Sequence, residues 1–518
     1  MTSPRAVDIA RDLVDELLAR GTTEAVLAPG SRSGPLALAL HAADEQGLLR
    51  LHVRVDEREA GFLALGLAKA TGLPVPVVTT SGTAVANLHP ALLEALHACA
   101  PVLAVTADRP GRLRGTGANQ TTDQRRIFPH IRFVEGVAEL AAGWGEDGPC
   151  HLNLELDQPL IEPMQWRFTP FRRSVETPVP AVTVVDPGPR TVVLAGDGAG
   201  DGAALLAESG GWPLLADPSS GARRGESAIA TYRLLLDHFA PRIERVVSFG
   251  HATLSRSVTA LLSRSDVDIV HVGDQSTFPV PAGERVIFAE SVETIGRPAD
   301  DWLDAWQEAD RRVRAGLPSA EVFKIAQAAW SAAADGLLFI GSSNPVRDLD
   351  LVGDPARPPR RVLANRGLAG IDGALSTAIG AALAWPDRKA LGVVGDLTFL
   401  HGSNGLLIGP AEPRPDLTIV VVSDDGGSIF ATLEQGSADY AVAFERVYAT
   451  PTGARIAELC AGYGIAYERV SAAALPAALT EEARGIRVLE VPVSREDRRA
   501  LAEACVRSAR EALDRMTP

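Results

Sequence analysis

Cysteine is scarce in this 518-residue chain, and positive charge is in deficit. The four cysteines, Cys99, Cys150, Cys460 and Cys505, show no Cys-x-x-Cys spacing, which argues against a zinc site or a disulfide framework. Lys and Arg number 50 against 65 Asp and Glu, a net charge of −15, which argues against nucleic acid or an anionic membrane as a main partner. No apolar run approaches the roughly 20 residues of a membrane span, and the charged, amphipathic N-terminus is unlike a signal peptide. We therefore expect a cytoplasmic protein without membrane insertion.

The length suggests about three domains. Residues 1–180 and 318–518 alternate β-type runs, polar turns and helical patterns, and residues 186–315 form a further α/β unit. A proline-rich stretch at 171–190 suits a linker between the first two domains. The predicted fold class is α/β, with three domains that are each a mostly parallel, doubly wound sheet.

The most informative stretch is residues 391–430, where two buried-type strands each end in carboxylates beside glycine. Leu391–Val394 runs into Gly395-Asp396, and Leu417–Val422 runs into the sequence SDDGG at 423–427. Asp396 and Asp424 are 28 residues apart, a spacing that resembles the thiamine-diphosphate motif. A hard cation such as Mg²⁺ takes carboxylate, carbonyl and phosphate oxygens, which Asp396, Asp424 and the Gly426 carbonyl would supply in part. Two acidic turns of an ordinary Rossmann-like domain remain the alternative.

A second candidate motif, Gly196-Asp197-Gly198, also follows a β-type run, at Thr191–Ala195. It lacks an Asn-x-Gly some two dozen residues later, and Asp201 occupies the place of the last glycine in G-x-G-x-x-G. We interpret it as a plain turn.

Thiamine chemistry also requires a carboxylate against the aminopyrimidine ring of the cofactor. Glu57 follows the alternating run Leu51–Val55 and precedes a small-residue helix at Ala60–Ala70. A surface acidic turn is the alternative interpretation, since exposed charges are the norm.

Seven segments together resemble the 2-succinyl-5-enolpyruvyl-6-hydroxy-3-cyclohexene-1-carboxylate synthase family of thiamine-diphosphate enzymes in menaquinone biosynthesis. They span most of the first and third domains, whereas the middle domain resembles the family only loosely. The segments are APGSRSGPLALAL (28–40), VDEREAGFLALGLAKATG (55–72), TTSGTAVANLHPALLEA (79–95), TADRPGRLRGTGANQTTDQ (106–124), SSNPVRDLD (342–350), ANRGLAGIDGALSTAIG (364–380) and GDLTFLHGSNGLL (395–407).

The resemblance implies three domains: a pyrimidine-binding domain (1–180), a central non-catalytic domain (186–315) and a diphosphate-binding domain (318–518). It also implies roles for individual residues. Glu57 matches the cofactor-activating glutamate, Ile371 the aliphatic prop beneath the bent cofactor, and Ile429 and Phe430 an apolar wall of the cofactor site. Asp396, Asp424 and Gly426 match the ligands of Mg²⁺ or Mn²⁺. Substrate-binding positions are matched by Ser31, Arg32, Arg109, Asn119, Gln120, Ser343, Arg347 and Arg366, of which Arg32 and Gln120 are also matched to the reacting centre.

The implied reaction is decarboxylation of 2-oxoglutarate followed by conjugate addition of the succinyl unit to isochorismate, in a homodimer or a dimer of dimers. Both substrates carry two carboxylates, which planar guanidinium groups bind well. Two rivals remain open: another thiamine-diphosphate 2-oxoacid decarboxylase or carboligase, and a non-catalytic binding protein of the same fold.

One position departs from the family pattern, which usually has Asn where Asp424 stands. The added carboxylate either tightens cation binding or repels the diphosphate. Alternatively, the loop is one residue shorter and Ser423 takes part.

Overall fold

A computed structural model describes residues 4–144, 147–169, 171, 179–273, 285–298 and 301–516 of the chain. The strands are β1 Glu24–Leu27, β2 Arg50–Val53, β3 Val75–Thr79, β4 Val102–Asp108, β5 Arg132–Val134, β6 Cys150–Glu155, β7 Val182–Val185, β8 Thr191–Ala195, β9 Leu214–Ala216, β10 Arg245–Phe249, β11 Asp268–Val272, β12 Val286–Ala289, β13 Ser291–Thr294, β14 Leu337–Ile340, β15 Arg361–Ala364, β16 Ala390–Gly395, β17 Leu417–Ser423, β18 Ala466–Arg469 and β19 Ile486–Pro492. The α-helices are α1 Ala6–Ala19, α2 Gly34–Glu45, α3 Glu57–Thr71, α4 Thr83–Ala86, α5 His89–His97, α6 Val137–Gly143, α7 Asp201–Gly210, α8 Tyr232–Phe239, α9 Arg256–Leu262, α10 Trp302–Gly316, α11 Glu321–Ala332, α12 Asn344–Val352, α13 Ala374–Leu383, α14 Asp396–His401, α15 Ala441–Phe444, α16 Ile456–Tyr463, α17 Leu475–Ala478 and α18 Arg498–Asp514. No helix among these described residues is both long and apolar enough to cross a bilayer.

Three larger sheets and one two-stranded sheet carry these strands, and the named pairs are parallel. The first sheet has the order β2-β1-β3-β4-β6-β5, and the second β12-β11-β10-β8-β9. The third has the order β15-β14-β16-β17-β19-β18, and β13 pairs with β7. Strands such as β3, β4 and β14 are buried along their whole length, as parallel sheets covered by helices require. The predicted α/β class with mostly parallel sheets is confirmed.

The chain forms two compact units. The first contains residues 1–177, 367–386 and 401–415, and the second contains residues 178–366, 387–400 and 416–518. The three larger sheets lie within 24–155, 191–289 and 337–492, inside the three predicted domains. The division at 1–180, 186–315 and 318–518 itself stays a prediction.

In each six-stranded sheet, the strand order reverses direction at one topological switch point. β1 lies between β2 and β3, and β14 lies between β15 and β16. In open α/β sheets, ligands bind outside the carboxyl ends of the strands at such a switch point. The turn at 29–33 follows β1, and the turns that carry Ser343 and Asp396 follow β14 and β16. Arg32, Ser343 and Asp396 therefore lie at switch points, whereas Arg109 and Asp424 follow β4 and β17, each one strand further along its sheet.

The second sheet has a comparable switch point between β8 and β10, where the Gly196-Asp197-Gly198 motif lies. Asp197 and His251 exchange backbone hydrogen bonds of 3.1 and 2.9 Å. A Cβ atom on Gly196 would lie 2.2 Å from the Ala252 nitrogen. The loops after β8 and β10 are thus bound directly to each other, and the motif is a turn, as predicted.

Candidate active site

The turn after β1 packs closely against the turn after β3. A Cβ atom on Gly30 would lie 2.3 Å from the Cβ atom of Thr80, so only glycine permits this approach. Ser31 is exposed. Arg32 is half-buried, and its Nη1 donates to the Leu156 carbonyl at 2.7 Å. The turn therefore fixes Arg32 at the switch point of the first sheet.

Arg109 and Gln120 meet at Ser81, the residue after Thr80. Arg109 Nη1 donates to the Gln120 carbonyl at 2.9 Å and also contacts Ser81 Oγ. Gln120 has a left-handed backbone (φ 58°), and its Nε2 donates to the Ser81 carbonyl at 2.9 Å. Burial and the nearby charge of Arg109 lower the pKa of Arg32. The structure thus brings Arg109 and Gln120 together at Ser81. Arg32 bonds to Leu156, whose nitrogen donates to the carbonyl of Asp108, the residue before Arg109, at 3.0 Å. Asn119 is exposed.

Gln124 is a functional candidate that sequence reasoning missed. It is fully buried; its Oε1 accepts from Gly82 N at 3.1 Å, and its Nε2 donates to Asn153 Oδ1 at 2.8 Å. These bonds hold the turn at Gly82 (φ 83°) beneath Gln120. The motif GANQTTDQ contains Gln124, but its burial depends on Asn153, which no local pattern indicates.

Glu57 is the first residue of α3. Asp56 caps this helix by accepting hydrogen bonds from Arg58 N at 3.0 Å and Glu59 N at 3.3 Å. Glu57 is half-buried, and its Oε2 accepts from Asn87 Nδ2 at 3.2 Å. A carboxylate at a helix N-terminus is favoured by the helix dipole, so Glu57 is held in place and remains partly open.

Helix α3 packs tightly on α13 within the first unit. A Cβ atom on Gly66 would lie 2.2 Å from the Thr377 carbonyl oxygen, and one on Gly380 would lie 2.4 Å from the Leu63 carbonyl oxygen. The two backbones therefore touch without intervening side chains. Ile371 is half-buried in the turn that leads into α13.

Glu59 lies inside this helix contact, two residues after Glu57. It is 1% exposed, and its Oε2 accepts from Ser376 Oγ at 2.5 Å. Burial raises the pKa of Glu59 to about 7, although hydrogen bonds from Ser376 and Arg58 oppose the rise.

In the second unit, Asp396 organises the loop after β17. Its Oδ1 accepts from Leu397 N at 2.6 Å, and its Oδ2 accepts from Asp424 N and Gly426 N at 3.1 Å each. The residue is 5% exposed, and burial raises its pKa despite these hydrogen bonds. Because β16 and β17 are adjacent, their two acidic ends converge as predicted.

Asp424 is the first residue after β17. Burial raises its pKa to about 6; a hydrogen bond from Ser428 opposes the rise, and the charge of Asp396 adds to it. Arg495 and Arg498 partly offset the added negative charge, and Arg495 also contacts the Asp425 carbonyl. Sequence reasoning missed these two arginines, of which Arg495 also donates to the Asp424 carbonyl at 3.4 Å. The Ser423 carbonyl accepts from Val493 N at 2.9 Å, at the end of β17.

The donor set suits a hard divalent cation. The buried Asp396 and the half-buried Asp424 oppose each other's ionisation, and a cation between them would relieve that repulsion. The Gly426 carbonyl accepts from Ser428 N at 3.1 Å and keeps a second lone pair. A Cβ atom on Gly426 would lie 2.5 Å from the Ala449 carbonyl oxygen, so the loop requires glycine there. No group of three or more His, Cys, Asp or Glu side chains suited to a metal occurs in the described ranges, so other oxygens would come from the diphosphate.

Ser343, Arg347 and Arg366 also belong to the second unit. Arg347, on α12, donates from Nη1 to the Ser343 carbonyl at 2.7 Å. Burial, followed by the charges of Arg366 and Arg233, lowers the pKa of Arg347 to about 10. Arg366 is buried directly after β15. Because β14 and β15 are paired and Ser342 Oγ donates to the Asn365 carbonyl at 3.4 Å, the segments that carry Arg347 and Arg366 lie side by side.

Ile429 and Phe430 lie in a short 3₁₀-helix, Ser428–Thr432, and both are half-buried. The Phe430 ring lies 5.8 Å from the Tyr448 ring, centroid to centroid. Gly427, which precedes the 3₁₀-helix, donates from its nitrogen to the Ala449 carbonyl at 2.7 Å. The apolar pair thus follows the acidic loop directly.

Comparison with known proteins identifies the family. The N-terminal TPP binding domain of thiamine pyrophosphate enzymes matches residues 7–127, and the C-terminal TPP binding domain matches residues 352–491. A 2-succinyl-5-enolpyruvyl-6-hydroxy-3-cyclohexene-1-carboxylate synthase of Nocardioides sp. is 48% identical, over 97% of this chain and 99% of the relative. Proteins of the same name from Kineococcus radiotolerans and Saccharopolyspora erythraea are 46% and 42% identical, over 98% and 97% of this chain and 99% and 98% of the relatives.

These matches cover both six-stranded sheets and the loops that hold the two arginine pairs and the paired carboxylates. The chain therefore belongs to the 2-succinyl-5-enolpyruvyl-6-hydroxy-3-cyclohexene-1-carboxylate synthase family of thiamine pyrophosphate enzymes.

Proposed function

We propose that the protein converts 2-oxoglutarate and isochorismate into 2-succinyl-5-enolpyruvyl-6-hydroxy-3-cyclohexene-1-carboxylate and CO₂, for menaquinone biosynthesis. The observation that carries this proposal is the position of two pairs of arginines beyond the carboxyl ends of parallel strands. Arg32 and Arg109 follow β1 and β4, and Arg347 and Arg366 follow β14 and β15. Neighbouring like charges cost free energy unless anions compensate them. In a chain of net charge −15, two such pairs suit two dicarboxylate substrates.

Bound thiamine diphosphate would supply the electron sink that permits decarboxylation and carbon–carbon bond formation. Asp396, Asp424 and the Gly426 carbonyl would hold Mg²⁺ or Mn²⁺ against the diphosphate. Ile371, Ile429 and Phe430 would form the apolar surroundings of the cofactor, as the family resemblance implies.

The protein's own groups would supply charge and proton control. Glu57 would exchange a proton with the aminopyrimidine ring from its place at the start of α3. Arg32 and Arg109 would bind carboxylates of one substrate beside Gln120, with Ser31 and Asn119 at the edge of the same turns. Arg347 and Arg366 would bind the other substrate, next to Ser343.

The decisive experiment measures CO₂ release from 2-oxoglutarate with thiamine diphosphate and Mg²⁺, with and without isochorismate, for the wild type and Glu57→Gln. We expect an adduct only when isochorismate is present, and a rate reduced by about 10²–10⁴-fold in the variant, because general acid–base groups contribute that much. CO₂ release without an adduct would favour another decarboxylase or carboligase. Absence of both turnover and cofactor binding would favour a non-catalytic binding protein.

The family resemblance further implies that Glu57 of one copy acts with the metal loop of another, in a homodimer or a dimer of dimers. Mixing Glu57→Gln chains with Asp396→Asn chains tests whether the two residues of one site come from different copies. If the two residues act from different copies, mixed dimers regain activity in one of their two sites. If both act from the same copy, every site stays defective. The cytoplasmic location likewise remains a prediction.

A further inference from the structure

Asn153, on β6, is a buried polar residue to which the proposed reaction gives no role. It is 1% exposed and lies in the first unit, together with the turns that carry Arg109 and Gln120. Burying an amide group is unfavourable unless its oxygen and nitrogen find hydrogen-bond partners. The partners of Asn153 therefore show what this side chain does.

The Asn153 amide has partners at both of its polar atoms. Its Oδ1 accepts from Gln124 Nε2 at 2.8 Å and from Thr106 Oγ1 at 2.9 Å. Its Nδ2 donates to Asp108 Oδ2 at 3.1 Å. Because a carboxylate can only accept hydrogen bonds, Asp108 requires the amide nitrogen, and the amide oxygen faces Gln124 and Thr106.

His151 completes this network from the same face of β6, two residues before Asn153. Burial lowers the pKa of His151 to about 4, so its ring is neutral at neutral pH. The single hydroxyl hydrogen of Thr106 is donated to Asn153, and the Thr106 oxygen therefore accepts from His151 Nε2 at 2.7 Å. Each group thus has a fixed role as donor or acceptor. At position 153, aspartate would lack the donor for Asp108, and leucine would lack all three hydrogen bonds.

One branch of the network leads from Asn153 through Gln124 to Gln120. Gln124 Oε1 accepts from Gly82 N at 3.1 Å. A Cβ atom on Gly82 would lie 2.8 Å from Gln120 Cγ, so the Gly82 backbone is packed directly against the Gln120 side chain. Ser81 Oγ donates to the Gln120 carbonyl at 3.0 Å. Asn153 therefore supports the turn against which Gln120 is held.

The other branch leads from Asn153 through Asp108 to Arg109. Asp108 is fully buried at the end of β4, and its Oδ1 accepts from Arg109 N at 2.7 Å. Its Oδ2, which accepts from Asn153, also lies 3.2 Å from Arg114 Nη2. The Arg109 guanidinium donates to the Gln120 carbonyl at 2.9 Å, so the two branches meet again at these residues.

We propose that Asn153 is a positioning residue whose buried amide holds Arg109 and Gln120 together, ready for one dicarboxylate substrate. The inference rests on the proposed function, in which Arg109 and Gln120 bind that substrate. Side chains that are already ordered lose less conformational freedom when a ligand binds. The network therefore strengthens binding of the substrate without touching it.

The test uses the full chain loaded with thiamine diphosphate and Mg²⁺, as the Asn153→Leu variant, which keeps a similar side-chain size without hydrogen-bonding groups. We expect the KM for one substrate, 2-oxoglutarate or isochorismate, to rise at least tenfold. It should be the substrate whose KM rises in Arg109→Lys. The KM for the other substrate and the Kd for thiamine diphosphate should stay within twofold, and kcat should fall by a smaller factor than the affected KM rises. Equal increases in both KM values would overturn the inference.

Glu24→Leu is the matched control, because it also removes a buried polar side chain from the first sheet. Glu24 is 8% exposed, and its Oε2 lies 2.7 Å from His52 Nε2. It is the first residue of β1, at the edge of the sheet opposite the carboxyl ends of the strands. This variant should lower the Tm and leave both KM values within twofold. If Asn153→Leu behaves like this control, the positioning role is wrong.

Gln124→Met interrupts the first branch, because methionine has a similar length but cannot bond to Gly82 or Asn153. We expect a KM increase of at least threefold for the same single substrate. Combined with Asn153→Leu, it should raise that KM no further than Asn153→Leu alone, since both changes break one network.

Gln124→Met alone decides the question if Asn153→Leu does not fold. Unchanged KM values in Gln124→Met, or independent increases that multiply in the double variant, would overturn the inference. A wild type without turnover would instead refute the proposed function, so the two failures are distinguishable.

Discussion

Replacing the buried Glu59 by Gln tests the helix contact that supports Glu57. The pKa of Glu59 rises from 4.5 to about 7 because of burial. Between pH 4.5 and about pH 7, the Glu59 carboxyl group loses its proton in the unfolded chain but keeps it in the folded protein. The folded state therefore loses stability as pH rises through this window, and the contribution is fully present only below about pH 4.5. With about 1.4 kcal/mol for each pKa unit, the loss amounts to about 3 kcal/mol.

Gln cannot ionise and can still accept the Ser376 hydroxyl, so Glu59→Gln removes this pH dependence. We expect the variant to gain about 3 kcal/mol relative to the wild type between pH 4.5 and pH 8. Urea unfolding at both pH values measures the difference. Glu45→Gln, an exposed change on α2, is the control and should follow the wild type. Equal pH dependence in Glu59→Gln and the wild type would refute the reasoning.

Three further changes have defined outcomes. Asp424→Asn should weaken Mg²⁺ binding at pH 8 by tenfold or more, about 1.4 kcal/mol. The pKa of Asp424 is raised to about 6, so protons compete with the cation for this carboxylate at lower pH. In Mg²⁺ titrations, the affinity should therefore fall less between pH 8 and pH 5 in Asp424→Asn than in the wild type. Equal Mg²⁺ affinities of the variant and the wild type would contradict a ligand role. Gly380→Ala should destabilise the first unit by about 1–3 kcal/mol through overpacking, since its Cβ atom would meet the Leu63 carbonyl at 2.4 Å. Gly462→Ala, where nothing lies within 4 Å, should not lower the Tm in thermal unfolding. Arg109→Lys should raise the KM for a dicarboxylate substrate in steady-state assays, because an ammonium group cannot bind a carboxylate through two parallel hydrogen bonds as a planar guanidinium group can. An unchanged KM for both substrates would count against its binding role.

Strands buried on both faces could be predicted closely from the sequence. β8 begins and ends at the predicted residues, Thr191 and Ala195, and the predicted runs Leu391–Val394 and Leu417–Val422 lie within β16 and β17, because continuous apolar runs mark such strands. The predicted strand Leu51–Val55 ends earlier, at Val53. There, Glu412 accepts from Val53 N at 2.7 Å and lies 3.6 Å from Arg54, a contact over more than 350 residues that local patterns do not contain.

The difference between local patterns and long-range contacts also separates the predicted site residues from the missed ones. Strand-end motifs indicate that Arg32, Asp396 and Asp424 follow strands, and the structure places them after β1, β16 and β17, because parallel strands end at one edge of their sheet. Their roles stay predictions. The hydrogen bonds of the buried Asn153, by contrast, reach residues 29 to 47 positions away. Long-range partners of this kind have no counterpart in composition or spacing.

The contact between α3 and α13 also bears on how the chain folds during synthesis. The first unit includes residues 367–386 and 401–415 as well as the N-terminal 177 residues. Its sheet is complete once β6 has been made, but α13, which contacts α3 at Gly66 and Leu63, has not yet been made. The N-terminal part must therefore leave the ribosome with the small-residue face of α3 uncovered, and it stays so until more than 200 further residues have been added. A chain cut after residue 318 would keep that face exposed permanently.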